Sequence, residues 1–157
     1  MKKKILLVVL LVGGLISGAA TAQVQARFKV NIGVQPVWGL VGYDHVEYYY
    51  FPDIDVYYYV PARQYIYQER GRWMSGSFLP LRFHDYDVYR GYKAVINEPK
   101  PYLHADNYRR MFAPYKGRRN QAIIRNSHEP KYFEIREHPE HNKWKNNDGR
   151  EQNGRGN

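Results

Sequence analysis

Two tyrosine triplets, each closed by a proline, constrain this chain more than any other feature. Tyr48-Tyr49-Tyr50-Phe51-Pro52 and Tyr57-Tyr58-Tyr59-Val60-Pro61 begin nine residues apart. Tyr, Val and Ile favour strands, and Pro belongs at strand ends. Pro52-Asp53 between the copies is turn chemistry. Neighbouring strand residues face opposite sides of a sheet, so neither triplet fits within one core face. Along 54–60, Ile54, Val56, Tyr58 and Val60 share one side and read as core. Asp55, Tyr57 and Tyr59 share the other. Tyr57 and Tyr59 are therefore the rings expected outside the core. Tyr49 joins them, because it falls opposite Val46, Tyr48 and Tyr50. Solvent, a partner, the tail or a helix has to meet these three rings, which are the candidate binding residues.

The rest of the chain supplies more short strands. Residues 28–34 alternate apolar and polar up to Gly33 and read as a strand. Residues 35–44 read as a loop around Trp38, broken by Pro36, Gly39 and Gly42. Tyr65-Ile66-Tyr67, a Glu69-Arg70-Gly71 turn and the return through Trp73 to Phe78 predict a β-hairpin, with Gly71 free to take a positive φ. Tyr92–Ile96 is a further short strand, stopped by Pro99 and Pro101. Asp106 or Asn107 can cap a short helix whose apolar face is Tyr108, Met111 and Phe112, ended by Pro114. The expected fold is a β-rich α+β domain: a small antiparallel sheet of about five short strands with one short helix.

The ends add location and charge. Lys2, Lys3 and Lys4 precede an apolar run from Ile5 to Ile16, and Ala20-Thr21-Ala22 has the small-x-small form of a signal-peptidase site. Residues 1–22 read as a cleavable signal peptide, with Val24-Gln25-Ala26 as the second candidate cut. The run is too short to cross a bilayer, and no later stretch is long enough. With no cysteine there is no lipoprotein anchor, disulfide or thiolate chemistry. The expected domains are the signal peptide, a β-rich domain over 23–115 and a tail over 116–157. From Lys116 onward ten Lys/Arg face six Asp/Glu, and the composition of the tail reads as largely disordered. Such a tail suits contact with an anionic surface. The apolar islands Ile123-Ile124 and Tyr132-Phe133-x-Ile135 leave open whether 119–140 orders on the domain or on a partner.

The run 48–58, then Gln64-Tyr65-x-Tyr67, Gly71-Arg72-Trp73, Leu79-Pro80 and Gly91–Tyr102 resembles a group of uncharacterised small Tyr-rich secreted proteins of Bacteroidota. The resemblance spans roughly 46–115. It implies export to a Gram-negative envelope, periplasmic or extracellular, and carries over no catalytic or binding residue.

Enzymatic constellations are sparse. Beyond the signal peptide the only hydroxyl nucleophiles of the Ser/Thr class are Ser75, Ser77 and Ser127, and no Gly-x-Ser-x-Gly elbow occurs. His138-Pro139-Glu140-His141, with Glu137 and His128, is the nearest approach to a metal-ligand cluster. Pro139 forbids the regular helix on which ligand pairs usually stand, so no metal or cofactor is expected. Asp53/Asp55 and Asp85/Asp87 would share a face if each lay on a strand, at a distance a glycosidase uses. Beside proline and in polar connections they read instead as turn residues. Nucleic acid is excluded as a partner by export and by the absence of a basic face on the domain. The favoured reading is a non-enzymatic envelope module whose tyrosine face meets a glycan or an envelope protein. A small periplasmic hydrolase or metal-dependent module using His and Asp is the alternative.

Overall fold

The computed structural model describes residues 30–143 and 145. The signal-peptide reading, residues 28 and 29 of the expected first strand, and almost all of the tail beyond Asn142 lie outside these residues. The fold class is as expected. One antiparallel sheet holds β1 (Tyr48–Phe51), β2 (Val56–Tyr59), β3 (Gln64–Glu69), β4 (Arg72–Gly76) and β5 (Ala94–Ile96), in the order β4-β3-β2-β1-β5. The main α-helix among the described residues, α1 (Ala105–Phe112), follows a 3-10 turn at Pro101–His104. The hairpin forms around Arg70-Gly71, with Gly71 at φ 76°.

The sheet is covered on both faces. On one side Tyr49, Phe51, Tyr58 and Val60 pack with Trp38, Leu40 and Val46. Trp38 is the hub, its ring 5.2 Å from that of Tyr49 and 4.8 Å from that of Tyr58. On the other side Tyr48, Tyr50, Tyr57, Ile66 and Ile96 pack with Tyr108, Phe112 and Tyr102. The two triplets pair in register, Tyr48 with Tyr59, Tyr49 with Tyr58 and Tyr50 with Tyr57. Strands buried on both faces need apolar bulk at every position. Tyrosine supplies it here because its hydroxyl reaches past the apolar layer to polar groups at the margin. Tyr49 Oη donates to Gln35 Oε1 and accepts from Leu40 N–H, and Tyr50 Oη donates to Asp55.

Three expectations change. Residues 32–34 form a 3-10 turn instead of a strand. The side-chain amide of Asn31 replaces the ladder there, accepting from Val46 N–H at 2.9 Å and donating to Val46 O at 2.7 Å. On α1 the buried positions are Ala105 and Tyr108, with Phe112 beside them, whereas Met111 is 60% exposed. Neither Asp106 nor Asn107 caps the helix; His104 holds that position with no side-chain bond. The largest change concerns residues 116–143, which are part of the domain and not a disordered tail. Ile124, Tyr132 and Ile135 are fully buried with Ile32 and Val37. The segment 122–125 runs against 37–41, with Ile124 N–H on Gly39 O and Arg125 N–H on Val37 O. The apolar islands suffice because Ile124, Tyr132 and Ile135 share one buried cluster with Ile32 of the 3-10 turn and Val37 of the loop around Trp38.

Candidate functional site

The turn between β1 and β2 sets the geometry of the helix side. Asp55 sits there at φ 53°, and its carboxylate accepts from Tyr50 Oη and from Arg109 of α1. Arg109 also donates to Asp106 and to Gln68 of β3. This one guanidinium therefore fastens α1 over the Phe51 end of the sheet. Charge-assisted bonds of this kind are among the strong ones. The two carboxylates pull Arg109 further into its charged form.

Because α1 is held at that end, it leaves part of the face uncovered. Two adjoining grooves run there. One, of about 320 Å³, is lined by Gln68, Trp73, Tyr102, Asp106, Asn107 and Arg109, among others. The other, of about 340 Å³, is lined by Tyr48, Tyr59, Gln64, Trp73, Ser75 and Tyr102, with Lys100 at its rim. Both volumes are at the small end of ligand sites, which run from about 300 to 1,000 Å³. Trp73 and Tyr102 are common to the two grooves. Their rings lie 5.4 Å apart and stand on the buried ring of Tyr57. Tyr48 and Tyr59 stack at 4.8 Å in the second groove. Burial holds the Tyr48 hydroxyl neutral, its pKa pushed up to about 12. The chemistry on offer is a row of ring faces edged by amides, hydroxyls and one ammonium.

Of the three rings expected outside the core, only Tyr59 is partly open, within the second groove. Tyr49 and Tyr57 are fully buried, so the expected exposure of those two does not hold. Alternation separates Tyr57 and Tyr59 from Tyr58 and Val60, and Tyr49 from Tyr48 and Tyr50, but Val46, before β1 begins, packs on the Tyr49 side; the loop around Trp38 covers that side and α1 covers the Tyr57 side. Tyr57 Oη is buried with no hydrogen-bond partner among the described residues, near the Asp55–Arg109–Asp106 group. Trp73, Tyr102 and Tyr48 were not singled out as site residues. Trp73 sits on a strand whose outward positions are readable. Tyr102 reaches the groove only through the 3-10 turn after Lys100, which itself adopts φ 48°, and no local pattern announces that.

The polar constellations are engaged elsewhere. Asp53 accepts from Gly117 N–H and pairs with Arg119, on the opposite side of the turn from the Asp55–Arg109 pair. Asp87 accepts from the backbone of Tyr89 and Arg90, and Asp85 pairs with His84 on the surface. His138 is buried. Its Nδ1 accepts from Glu140 N–H, so Nε2 carries the proton given to Ile124 O. Among the described residues no three His, Asp or Glu side chains converge as metal ligands. Comparison with protein families, characterised proteins and solved structures finds no match to this chain.

Proposed function

We propose that the chain is exported and acts as a non-enzymatic binding module of a Gram-negative cell envelope, holding a glycan chain against the tyrosine-rich side of its sheet. The observation that carries this reading is the pair of adjoining grooves sharing Trp73 and Tyr102 on the part of the face that α1 leaves open. A pyranose presents an apolar C–H face to an aromatic ring and a rim of hydroxyls to amides and carboxylates. The grooves offer both, with Tyr59, Trp73 and Tyr102 as platforms and Gln64, Gln68, Asn107 and Asp106 at the edges. Their shape, open and continuous, suits a chain better than a single enclosed molecule. The paired carboxylates support binding over hydrolysis, because Asp53, Asp55 and Asp87 are committed to a cation or a backbone amide and Asp85 lies on the surface beside His84. The basic residues beyond Lys116 are consistent with an anionic envelope surface nearby.

Purified peptidoglycan sacculi, and glycan strands freed of peptide, are the probes. Tyr59→Ala and Trp73→Ala are each expected to weaken binding about tenfold, which is about 1.4 kcal/mol. The far-UV spectrum should report the same fold. Undiminished binding by a folded Tyr59→Ala/Trp73→Ala double variant would overturn the reading. Binding to sacculi but not to peptide-free strands would transfer it to a peptide or protein ligand.

A further inference from the structure

The outer edge of the sheet points to a second, independent contact. β4 is the terminal strand, and its hydrogen bonds follow from the hairpin. Only Arg70 and Gly71 separate the closing pair Glu69–Arg72, and both take positive φ, 48° and 76°. That is a two-residue turn of type I′. Its closing pair exchanges both ladder bonds, and bonded and non-bonded pairs alternate from there. Glu69–Arg72, Tyr67–Met74 and Tyr65–Gly76 therefore bond across to β3. The N–H and C=O of Trp73 and Ser75 point away from the sheet. Among the described residues no backbone group bonds to either. The strand itself carries no proline to blunt its edge. Exposed apolar side chains flank it, with Phe78 83% and Leu81 89% exposed.

We propose that this edge pairs antiparallel with β4 of a second copy of the chain, Met74 against Met74 of the partner subunit. The edge carries its own complement. In this register Trp73 faces Ser75 of the partner subunit, and Ser75 faces Trp73 of the partner subunit, so both outward residues of each strand are used in four backbone bonds. A shift of two residues in either direction sets like against like and uses only one outward residue of each strand. The register also sets Arg72 opposite Gly76 of the partner subunit, so the two Arg72 cations do not confront one another, and it brings Arg70 toward the exposed Phe78 of the partner subunit. The two-fold axis stands perpendicular to the sheet, so both groove faces lie on the same side. Ser75 and Trp73 both line the second groove, and pairing joins the grooves of two copies into one track. The pairing rests on strand geometry alone and stands whether or not the ligand is a glycan.

Sedimentation equilibrium of the full mature chain without ligand tests the pairing. The wild type is expected to be a concentration-dependent dimer. Ser75→Pro removes an N–H that points outward and leaves the β3 ladder intact, so it is expected to weaken the dimer at least tenfold, with an unchanged melting temperature at concentrations where both forms are monomeric. Met74→Glu, at a side chain already exposed in one copy, sets two carboxylates together at the axis and is expected to act in the same direction. A wild type that stays monomeric at its solubility limit would overturn the pairing, as would a dimer insensitive to both variants. A monomer whose Trp73 and Ser75 amides resist hydrogen exchange would overturn it too, and would assign the edge to another segment of the same chain.

Discussion

The two faces of the sheet are built from the same residue type and end in different states. On the Trp38 face, the loop at 36–42, itself bonded to the segment at 122–125, closes over Tyr49, Phe51 and Tyr58, and the hydroxyl of Tyr49 is met by Gln35 and Leu40. On the helix face, a two-turn helix is fixed over the Phe51 end of the sheet by Asp55 and Arg109, and it leaves Tyr59 and Trp73 partly open in the grooves beside it. A tyrosine-rich strand pair therefore does not itself make a binding surface. The length and anchoring of the covering element decide which rings remain available.

The largest expected effects probe whether both faces are closed over the strands. Tyr49→Ala and Tyr57→Ala should each cost about 3–5 kcal/mol, the range for emptying a buried aromatic site. Tyr59→Ala should cost far less. Chemical denaturation reads all three, and a Tyr57→Ala variant as stable as Tyr59→Ala would mean that α1 does not cover that ring.

A smaller effect belongs to the closed face alone. Lys93 is fully buried, its Nζ 3.5 Å from Tyr89 O and 6.0 Å from the Trp38 ring centroid. Burial lowers its pKa to about 8, against a partial opposing pull from Asp87. Between that value and the ordinary lysine range the unfolded chain holds a proton that the folded one has released. Stability should therefore rise with pH from about 8 to about 9, by up to about 1 kcal/mol. Between about 9 and 10 the buried tyrosines reverse the trend, because burial keeps their hydroxyls protonated while the unfolded ones ionise. Lys93→Met should abolish the rise between pH 8 and 9 and stabilise the protein at pH 7. A rise that persists in this variant would trace to another group.

The smallest effects separate the faces by single hydroxyls. Tyr49→Phe leaves Leu40 N–H and Gln35 with a lost partner and should cost about 1–2 kcal/mol. Tyr57→Phe removes an unpartnered hydroxyl and should be neutral or slightly stabilising. Equal losses at the two positions would show that Tyr57 Oη has a partner in solution.

Sequence alone determined what depends on near neighbours. The strand pair at 48–60, the hairpin about Gly71, the strand ending at Ile96 and the helix before Pro114 all follow from period, turn chemistry and proline. The turn reading of Asp53 and Asp87 was legible for the same reason. Tertiary structure decided what lies on top of what. Alternation places Tyr57 opposite Tyr58, but whether a helix covers Tyr57 depends on Arg109 meeting Asp55, 54 residues away. Ile124 and Tyr132 look like islands in a polar segment until Ile32 and Val37 are brought to them. The grooves arise where Tyr102 happens to reach Trp73, a contact between segments with no shared period. Burial is a sum over distant parts of the chain, and a local pattern fixes the side on which a residue lies without fixing what will cover it.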